Sequence, residues 1–158
     1  RIWAPWRMEY IESEERPSGC VLCDARDADD DREYLVLARG VGAFIVMNRY
    51  PYTNAHLMIV PDRHTGDFLS LEPQETAEID RLVKRSVEIL RRKVAAQGFN
   101  IGMNLGRCAG AGITDHIHVH VVPRWNGDTN FMPILTDSKV ISEHIYATYD
   151  KLRPHFAE

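Results

Sequence analysis

Three histidines alternate with aliphatic residues in the run 116–122, which reads His-Ile-His-Val-His-Val-Val. Side chains alternate between the two faces of a β-strand, so this spacing predicts a strand with His116, His118 and His120 on one face. An imidazole is largely uncharged at neutral pH and can attack phosphorus, accept a proton or bind a metal ion. Because three of the seven histidines of the chain lie in this run, it indicates chemistry rather than packing.

The histidine run is open to two chemical interpretations. The first is a zinc site, because strand histidines two residues apart can share a metal ion. The second is nucleophilic catalysis, in which one ring attacks and the two flanking rings donate to phosphoryl oxygens or orient the attacking ring. Strand histidines that only form hydrogen bonds are the alternative without function.

A glycine-rich connection precedes the histidine run and favours a phosphate ligand. Gly106, Gly110 and Gly112 let the backbone approach a ligand closely, and successive N–H groups can bind an anion. Asn104 ends the preceding predicted strand, where its amide can reach the same place. The spacing is neither that of a P-loop nor that of the dinucleotide fingerprint, and a plain loop is the alternative.

Two cysteines, Cys20 and Cys23, have the spacing of half a zinc site. Such a site needs four ligands, and the histidines available to complete it are His64 and His116. A redox pair is a competing interpretation, although no βαβ pattern surrounds the motif. The remaining interpretation is a pair of neighbouring buried thiols without function.

Two further polar or aromatic residues flank the predicted strands. Asn48 follows an apolar strand and precedes a turn that contains proline, where its amide either caps the turn or binds a sugar hydroxyl. Trp125 follows the histidine run and either stacks on a base or covers the core. Trp3 and Trp6 could brace either a dimer or the site.

The bulk composition describes an ordinary globular protein. The chain has 158 residues, of which 44% are hydrophobic and 27% charged, which predicts a single domain. The formal charge of −4 predicts no general attraction to nucleic acid or to an anionic membrane, and no apolar run approaches the length of a membrane span. Three cysteines do not make a disulfide framework, so we expect a reduced, cytoplasmic setting.

The hydrophobic pattern predicts an α+β domain with an antiparallel sheet. The acidic stretch 24–33 is predicted to be a solvated loop. The predicted elements are strands at 34–38, 43–47, 56–60 and 99–104, a long helix from about Pro73 that stops at Gly98, and a last helix at 138–152.

The histidine run resembles the His-x-His-x-His-x-x signature of the histidine triad superfamily, in which x is apolar. The segments 48–61 and 99–104 resemble the same superfamily. The run 120–131, with its Pro-Arg-Trp, and the opening 3–7 are similar to the bacterial diadenosine tetraphosphate phosphorylase-like and hydrolase-like branch. The resemblance covers about residues 34–125.

The resemblance implies one domain over residues 1–158, with an N-terminal extension (1–33) that carries the cysteine pair, a core (34–125), and a C-terminal tail and helix (126–158). The implied fold is a five-stranded antiparallel sheet with one long and one C-terminal helix, assembled as a homodimer. The implied reaction cleaves dinucleoside polyphosphates at the α-phosphate. His118 would attack phosphorus, and water or inorganic phosphate would then release the nucleotide from a nucleotidyl-histidine.

The resemblance also implies the remaining site residues and cofactors. Substrate would contact Asn48, Asn104, Gly112, Ile113 and His120, and a structural zinc ion would be held by Cys20, Cys23, His64 and His116. Magnesium or a similar ion would accompany the polyphosphate. Many family members carry Gly-Gln-Ser/Thr before the triad, whereas residues 111–115 here read Ala-Gly-Ile-Thr-Asp, which leaves the general acid unassigned. Other possible functions are a purine nucleoside phosphoramidase, a nucleotide-binding sensor without turnover, and a zinc hydrolase with all three histidines as ligands.

Overall fold

A five-stranded antiparallel sheet forms the centre of the molecule, in the order β1-β2-β3-β5-β4. The computed structural model describes residues 19–128 and 143–157. The strands are β1 (Val36–Arg39), β2 (Ala43–Met47), β3 (Leu57–Pro61), β4 (Gly98–Gly102) and β5 (Val119–Arg124), and the helices are α1 (Val21–Asp27), α2 (Pro73–Lys93) and α3 (Ile145–Phe156). Short 3-10 turns lie at Phe68–Ser70 and Arg107–Ala109. The predicted fold class is confirmed. The predicted strand 43–47 has the bounds of β2, and the ends of the other three predicted strands shift by one or two residues.

The core lies where α2 and α3 pack against the sheet. Helix α2 contacts β2, β3 and β5, and α3 contacts β1. The buried face of α2 consists of Ile79, Leu82, Ser86, Ile89 and Leu90. Every residue of β2 and β3 is buried, so these strands are the centre of the hydrophobic core and give β5 a fixed neighbour. Among the described residues, no helix combines the length and apolarity needed to cross a bilayer.

Helix α2 begins at Pro73 as predicted, with a capping box formed by Glu72 and Glu75. Its predicted end at Gly98 is wrong, because the helix stops at Lys93. Ala95 adopts a positive φ of 51°, which turns the chain out of the helix even though the residue is not glycine. Gly98 instead begins β4.

The predicted strand over 116–122 is wrong at its start, because β5 begins at Val119. In the β3–β5 register Ile59 lies opposite Val119, and continuing it would place Ile117 opposite Pro61, which has no N–H to donate. The Ile117 N–H donates instead to the Thr65 carbonyl at 2.8 Å. His116 and His118 therefore lie in the irregular segment that leads into β5.

The acidic stretch 24–33 and the last helix also differ from the prediction. Helix α1 takes the first part of the stretch, and Asp31 beyond it pairs with Arg39 at 2.7 Å and Arg153 at 3.2 Å. Helix α3 runs from Ile145 to Phe156, which corrects both predicted ends, while positions 138–142 lie outside the described residues. The helix continues beyond residue 152 because Phe156 is buried and lies one turn after Leu152, on the same face.

Candidate active site

The middle histidine of the run is buried and held by the backbone. His118 is 6% exposed, and its Nδ1 lies 2.9 Å from the His116 carbonyl oxygen. A carbonyl oxygen can only accept, so Nδ1 carries the proton and Nε2 carries the lone pair. Burial lowers the pKa of His118, which favours the neutral ring at neutral pH. The arrangement gives a neutral imidazole whose Nε2 can attack an electrophile.

The third histidine belongs to a hydrogen-bonded pair with His56, which we call the histidine pair. The backbone N–H of Tyr52 donates to His56 Nδ1 at 3.1 Å, so His56 carries its proton on Nε2. That Nε2 lies 3.0 Å from His120 Nδ1 and donates to it. His120 is thereby fixed as a donor at Nε2, the form that can bind a phosphoryl oxygen.

Sequence analysis did not include His56 among the site residues. It is fully buried and comes directly before β3, two residues before Met58, which lies opposite His120 in the β3–β5 register. Since side chains two residues apart share a face, His56 lies on the His120 face of the sheet. A histidine at the start of an otherwise apolar strand was the available signal, but only the register connects it to the triad.

The first histidine belongs to a thiol cluster formed by Cys20, Cys23, His64 and His116. Their ligand atoms all lie within 4.8 Å of one another. His116 Nδ1 lies 3.3 Å from Cys20 Sγ and 3.6 Å from Cys23 Sγ, and His64 Nδ1 lies 3.3 Å from Cys23 Sγ. In tetrahedral zinc sites, bond lengths of about 2.3 Å to sulfur and 2.1 Å to nitrogen separate such atoms by about 3.6 Å. The four residues that the resemblance implied are therefore brought together and fit a zinc ion.

Hydrogen bonds outside the thiol cluster orient its ligands. His116 Nε2 donates to the Pro61 carbonyl at 2.9 Å, which leaves the Nδ1 lone pair for a metal ion. Arg26 of α1 donates to the Asp62 carbonyl at 2.5 Å, which joins the helix that contains Cys23 and follows Cys20 to the end of β3. Burial and the neighbouring Cys20 raise the pKa of Cys23, and a bound cation would favour its thiolate.

The three triad rings turn to different partners, which contradicts a zinc hydrolase with all three as ligands. His116 Nδ1 faces the thiols, His118 Nδ1 donates to a carbonyl, and His120 Nδ1 accepts from His56. Among the residues that the structure describes, the grouped metal ligands include His116 alone of the three.

The other predicted site residues fall into two groups. Asn104 and His120 line the same cavity of about 350 Å³. Asn48 lies beside the histidine pair, with Nδ2 3.3 Å from His56 Nδ1, and its Oδ1 accepts from the Tyr50 N–H at 2.9 Å, so it caps the turn. Gly112 is exposed and Ile113 half-buried, and neither lines this cavity.

Trp125 and a second hollow are not part of the histidine site. Trp125 donates from Nε1 to the Val94 carbonyl at 3.0 Å and packs against the core, which favours the covering role over base stacking. A larger hollow of about 650 Å³ lies between residues 29–32 and α3, where charges of opposite sign pair with each other. Trp3 and Trp6 lie outside the described residues.

Comparison with known families decides the relationship that the histidine run suggested. The family model described as "HIT domain" matches residues 35–127. This chain belongs to the HIT family. The match includes the histidine pair, the triad and His64, and it begins after the two cysteines of the thiol cluster.

Individual HIT relatives cover nearly the whole chain. An AP-4-A phosphorylase of Mycobacterium tuberculosis is 37% identical, over 99% of this chain and 84% of the relative. The solved structure of a Zn-bound histidine triad family protein from Mycobacterium smegmatis has a TM-score of 0.69 and 27% identity, and covers 88% of this chain and 94% of that one. A Plasmodium falciparum diadenosine triphosphate hydrolase in complex with Cyclomarin A has a TM-score of 0.61 at 18% identity, covers 81% and 76% of the two chains, and shows the shared fold.

Proposed function

We propose that this HIT protein cleaves dinucleoside polyphosphates, diadenosine tetraphosphate among them, by transferring a nucleotidyl group to His118. The observation that carries the proposal is the hydrogen bond from His118 Nδ1 to the His116 carbonyl, which leaves Nε2 as the nucleophile in a buried, neutral ring. The similarity to an AP-4-A phosphorylase over 99% of the chain supports the substrate class.

The proposed reaction has two displacements at the α-phosphorus. His118 Nε2 gives its lone pair to phosphorus, and the nucleoside polyphosphate leaves with the electrons of the broken P–O bond. Water, which loses a proton to solvent, or inorganic phosphate then attacks the same phosphorus, and the P–N bond electrons return to Nε2. Water gives a nucleoside monophosphate, whereas phosphate gives a nucleoside diphosphate.

The surrounding residues would bind and orient the substrate. The Nε2 proton of His120 would bind a phosphoryl oxygen, which stabilises charge that develops on phosphorus. Asn48 would bind the ribose, and Asn104, Gly112 and Ile113 would line the phosphates. For these roles, the support is the position of Asn48 beside the histidine pair and of Asn104 in the cavity with His120.

A zinc ion in the thiol cluster would act as a structural cross-link. Its four ligands come from the start of α1 with the residue before it, from the segment after β3 and from the triad, so metal binding would hold the His116 backbone in place. The carbonyl of that residue positions the nucleophile, and a structural ion suits a closed four-ligand site.

Magnesium would neutralise charge on the polyphosphate. Assays with and without magnesium would test this role.

Trapping the covalent intermediate tests the proposed function. Labelled diadenosine tetraphosphate is mixed with the protein, with His118→Ala, and with the control His155→Ala in the last turn of α3. We expect label on the wild type and on the control, and none on His118→Ala, although this variant still binds nucleotide. Turnover that survives His118→Ala would disprove the role of this residue, and binding without adduct or product would favour a sensor.

Product identification separates the remaining alternatives. With added phosphate, a phosphorylase releases ADP and ATP, whereas a hydrolase releases AMP and ATP under both conditions. Adenosine phosphoramidate, supplied in parallel, would reveal a phosphoramidase. Preference for this compound over the tetraphosphate would contradict the proposed substrate class.

We also propose a homodimer that forms through β4. This strand is at the edge of the sheet, and an edge strand has backbone groups available to pair with another chain. Ile101 and Leu105 are 50% and 47% exposed in this region. Sedimentation of the protein and of Ile101→Lys tests the proposal, since the charged variant should sediment as a monomer if β4 is the interface.

A further inference from the structure

We propose that the cavity beside His120 receives the leaving half of the dinucleoside polyphosphate, and that Arg124 recognises its distal phosphates. This inference rests on the proposed function and adds a specificity residue to it. The cavity has a volume of about 350 Å³ and lies over β4 and β5, where His120, Asn104, Asn100 and Arg124 are among its lining residues. This volume is within the range of ligand-binding pockets.

The strand order places most of the cavity lining further from Asn48 than His120 is. Asn48 follows β2 and reaches His56 before β3, whereas six lining residues of the cavity belong to β4 and β5, and Tyr52 and Thr53 close it from the segment between β2 and β3. In the sheet order β1-β2-β3-β5-β4, the part of the cavity over β4 lies beyond β5 when seen from Asn48. A nucleotide whose ribose is near Asn48 and whose α-phosphorus is at His118 would therefore extend its leaving group into the cavity.

The distance along β5 assigns Arg124 to the far end of that leaving group. Alternation places Arg124 on the same face as His120, four residues further along the strand. At about 3.3 Å per residue the two Cα atoms are about 13 Å apart. Arg124 thus lies too far along the strand to serve the α-phosphate, but suits phosphates that follow it in a polyphosphate chain.

Neighbouring side chains hold the Arg124 guanidinium in one orientation. Its Nε and Nη2 donate to the Asp128 carboxylate at 2.6 and 2.9 Å, and its Nη1 donates to Asn100 Oδ1 at 2.8 Å. Asp128 is the more buried partner, with a side chain 13% exposed against 40% for Arg124. Because the planar guanidinium matches phosphate geometry, an oriented arginine at the cavity wall can bind phosphate with little loss of side-chain freedom.

The chemical difference between leaving groups makes the inference testable. The leaving group of diadenosine tetraphosphate carries three phosphates, whereas that of the p-nitrophenyl ester of AMP is a single phenolate. Both compounds present the same α-phosphate and nucleoside to the proposed nucleophile. A cation at the far end of the cavity should therefore favour the first compound and contribute nothing to the second.

The experiment compares kcat/KM for these two compounds in the wild type and three variants. In Arg124→Gln, we expect the ratio of tetraphosphate to ester to fall about 10- to 100-fold, the loss expected for a hydrogen bond to a charged group. Asp128→Asn is the matched control, because it breaks the ion pair but keeps the cation and an amide oxygen that can still accept from the guanidinium, so the ratio should fall far less than in Arg124→Gln. The double variant R124Q/D128N leaves no unpaired charge and should lower the ratio as R124Q does, so it replaces that variant if R124Q does not fold.

The outcomes separate this inference from the proposed function. Equal losses on both compounds in R124Q, or the same fall of the ratio in D128N, would show that the ion pair is only structural and would overturn the inference. An unchanged ratio in R124Q would overturn it as well, while the proposed function stands. A wild type that cleaves neither compound would disprove the proposed function and this inference together.

Discussion

The two ends of the triad are held in different ways. At one end, His116 lies outside the sheet in the thiol cluster, whose members come from three separate segments of the chain. At the other end, His120 lies within β5, opposite Met58 of β3, and bonds to His56. A bound cation would hold the ligands of the first arrangement together, whereas strand pairing already positions the second.

His118 depends on both ends of the triad. Its Nδ1 donates to the carbonyl of His116, while the residue that follows it, Val119, is the first of β5. The proposed nucleophile thus lies at the junction between the thiol cluster and the hydrogen-bonded strand β5. Changes at either end should disturb His118, but only changes at the thiol cluster should alter metal content.

The largest expected effect is loss of the metal on Cys23→Ser. Wild-type protein should contain about one zinc ion per chain, since the four ligands form one tetrahedral site, and the variant should contain almost none. Because loss of a metal site is a severe change, we expect about 3–5 kcal/mol of destabilisation, or about 10 °C in Tm. Metal analysis and thermal unfolding measure this, with exposed Cys108→Ser as the control. Zinc retained in Cys23→Ser, or lost equally in the control, would contradict the assigned ligands.

The next effect separates the histidine pair from the thiol cluster. His56→Ala removes the donor to His120 Nδ1 and leaves the Tyr52 N–H without its acceptor, so we expect a loss of about 1–3 kcal/mol in the free energy of unfolding. In His56→Gln, the side-chain amide can donate to His120 and accept from the Tyr52 N–H. This variant should therefore recover part of the lost free energy of unfolding.

The readout for the histidine pair is the protonation pattern of His120. Nitrogen NMR shifts of the ring should report the Nε2–H form in the wild type and a mixture of forms in His56→Ala. Zinc content should equal that of the wild type in both variants. A variant that keeps the wild-type pattern would show that strand pairing alone fixes the ring.

The same contrast explains which parts of the fold could be predicted from the sequence. The apolar period and Pro73 were sufficient for the start of α2, and the hydrophobic pattern predicted β1 to within two residues and β2 with its observed bounds. The start of β5 could not be predicted, because the missing N–H of Pro61 matters only once the β3–β5 register is known. The end of α2 was not predicted because Ala95 has a positive φ. That conformation is typical of glycine and is not expected of alanine.

The site shows a similar division. The ligands of the thiol cluster could be predicted from the sequence, because cysteine and histidine are typical metal ligands at recognisable spacing. They are Cys20, Cys23, His64 and His116. His56 could not, because a single histidine beside an apolar strand is usually a hydrogen-bonded core residue. Its connection to His120 depends on strand pairing between residues 64 positions apart. Arg124 belongs to the Pro-Arg-Trp run that follows the histidines, but its place in the cavity follows only from the alternation of β5.

A smaller loss of stability is expected where the segment between β2 and β3 contacts β5. Thr53 is 5% exposed, and its hydroxyl donates to the Pro123 carbonyl at 3.0 Å. Thr53→Val keeps the shape but loses this bond, so we expect about 1 kcal/mol of destabilisation, or about 2–4 °C in Tm. Thr76→Val in the first turn of α2, where the hydroxyl is exposed, is the control. Equal shifts in the two variants would mean that the buried hydrogen bond adds no more to the free energy of unfolding than the exposed one.

The smallest effect is expected at the outer edge of the thiol cluster. Asp115 lies 3.8 Å from His64 Nε2 and its side chain is 70% exposed, so solvent screens the contact. Asp115→Asn should therefore weaken zinc binding only a few-fold, in a competition titration with a coloured chelator, and the difference should vanish near 1 M salt, where the screening length is about 3 Å. A salt-independent loss within the 10- to 100-fold range of buried outer-shell carboxylates would mean that Asp115 orients His64 as Pro61 orients His116. Both histidines of the thiol cluster would then be oriented by hydrogen bonds to residues outside it. The thiol cluster would in that case resemble the histidine pair, whose rings are also oriented by hydrogen bonds.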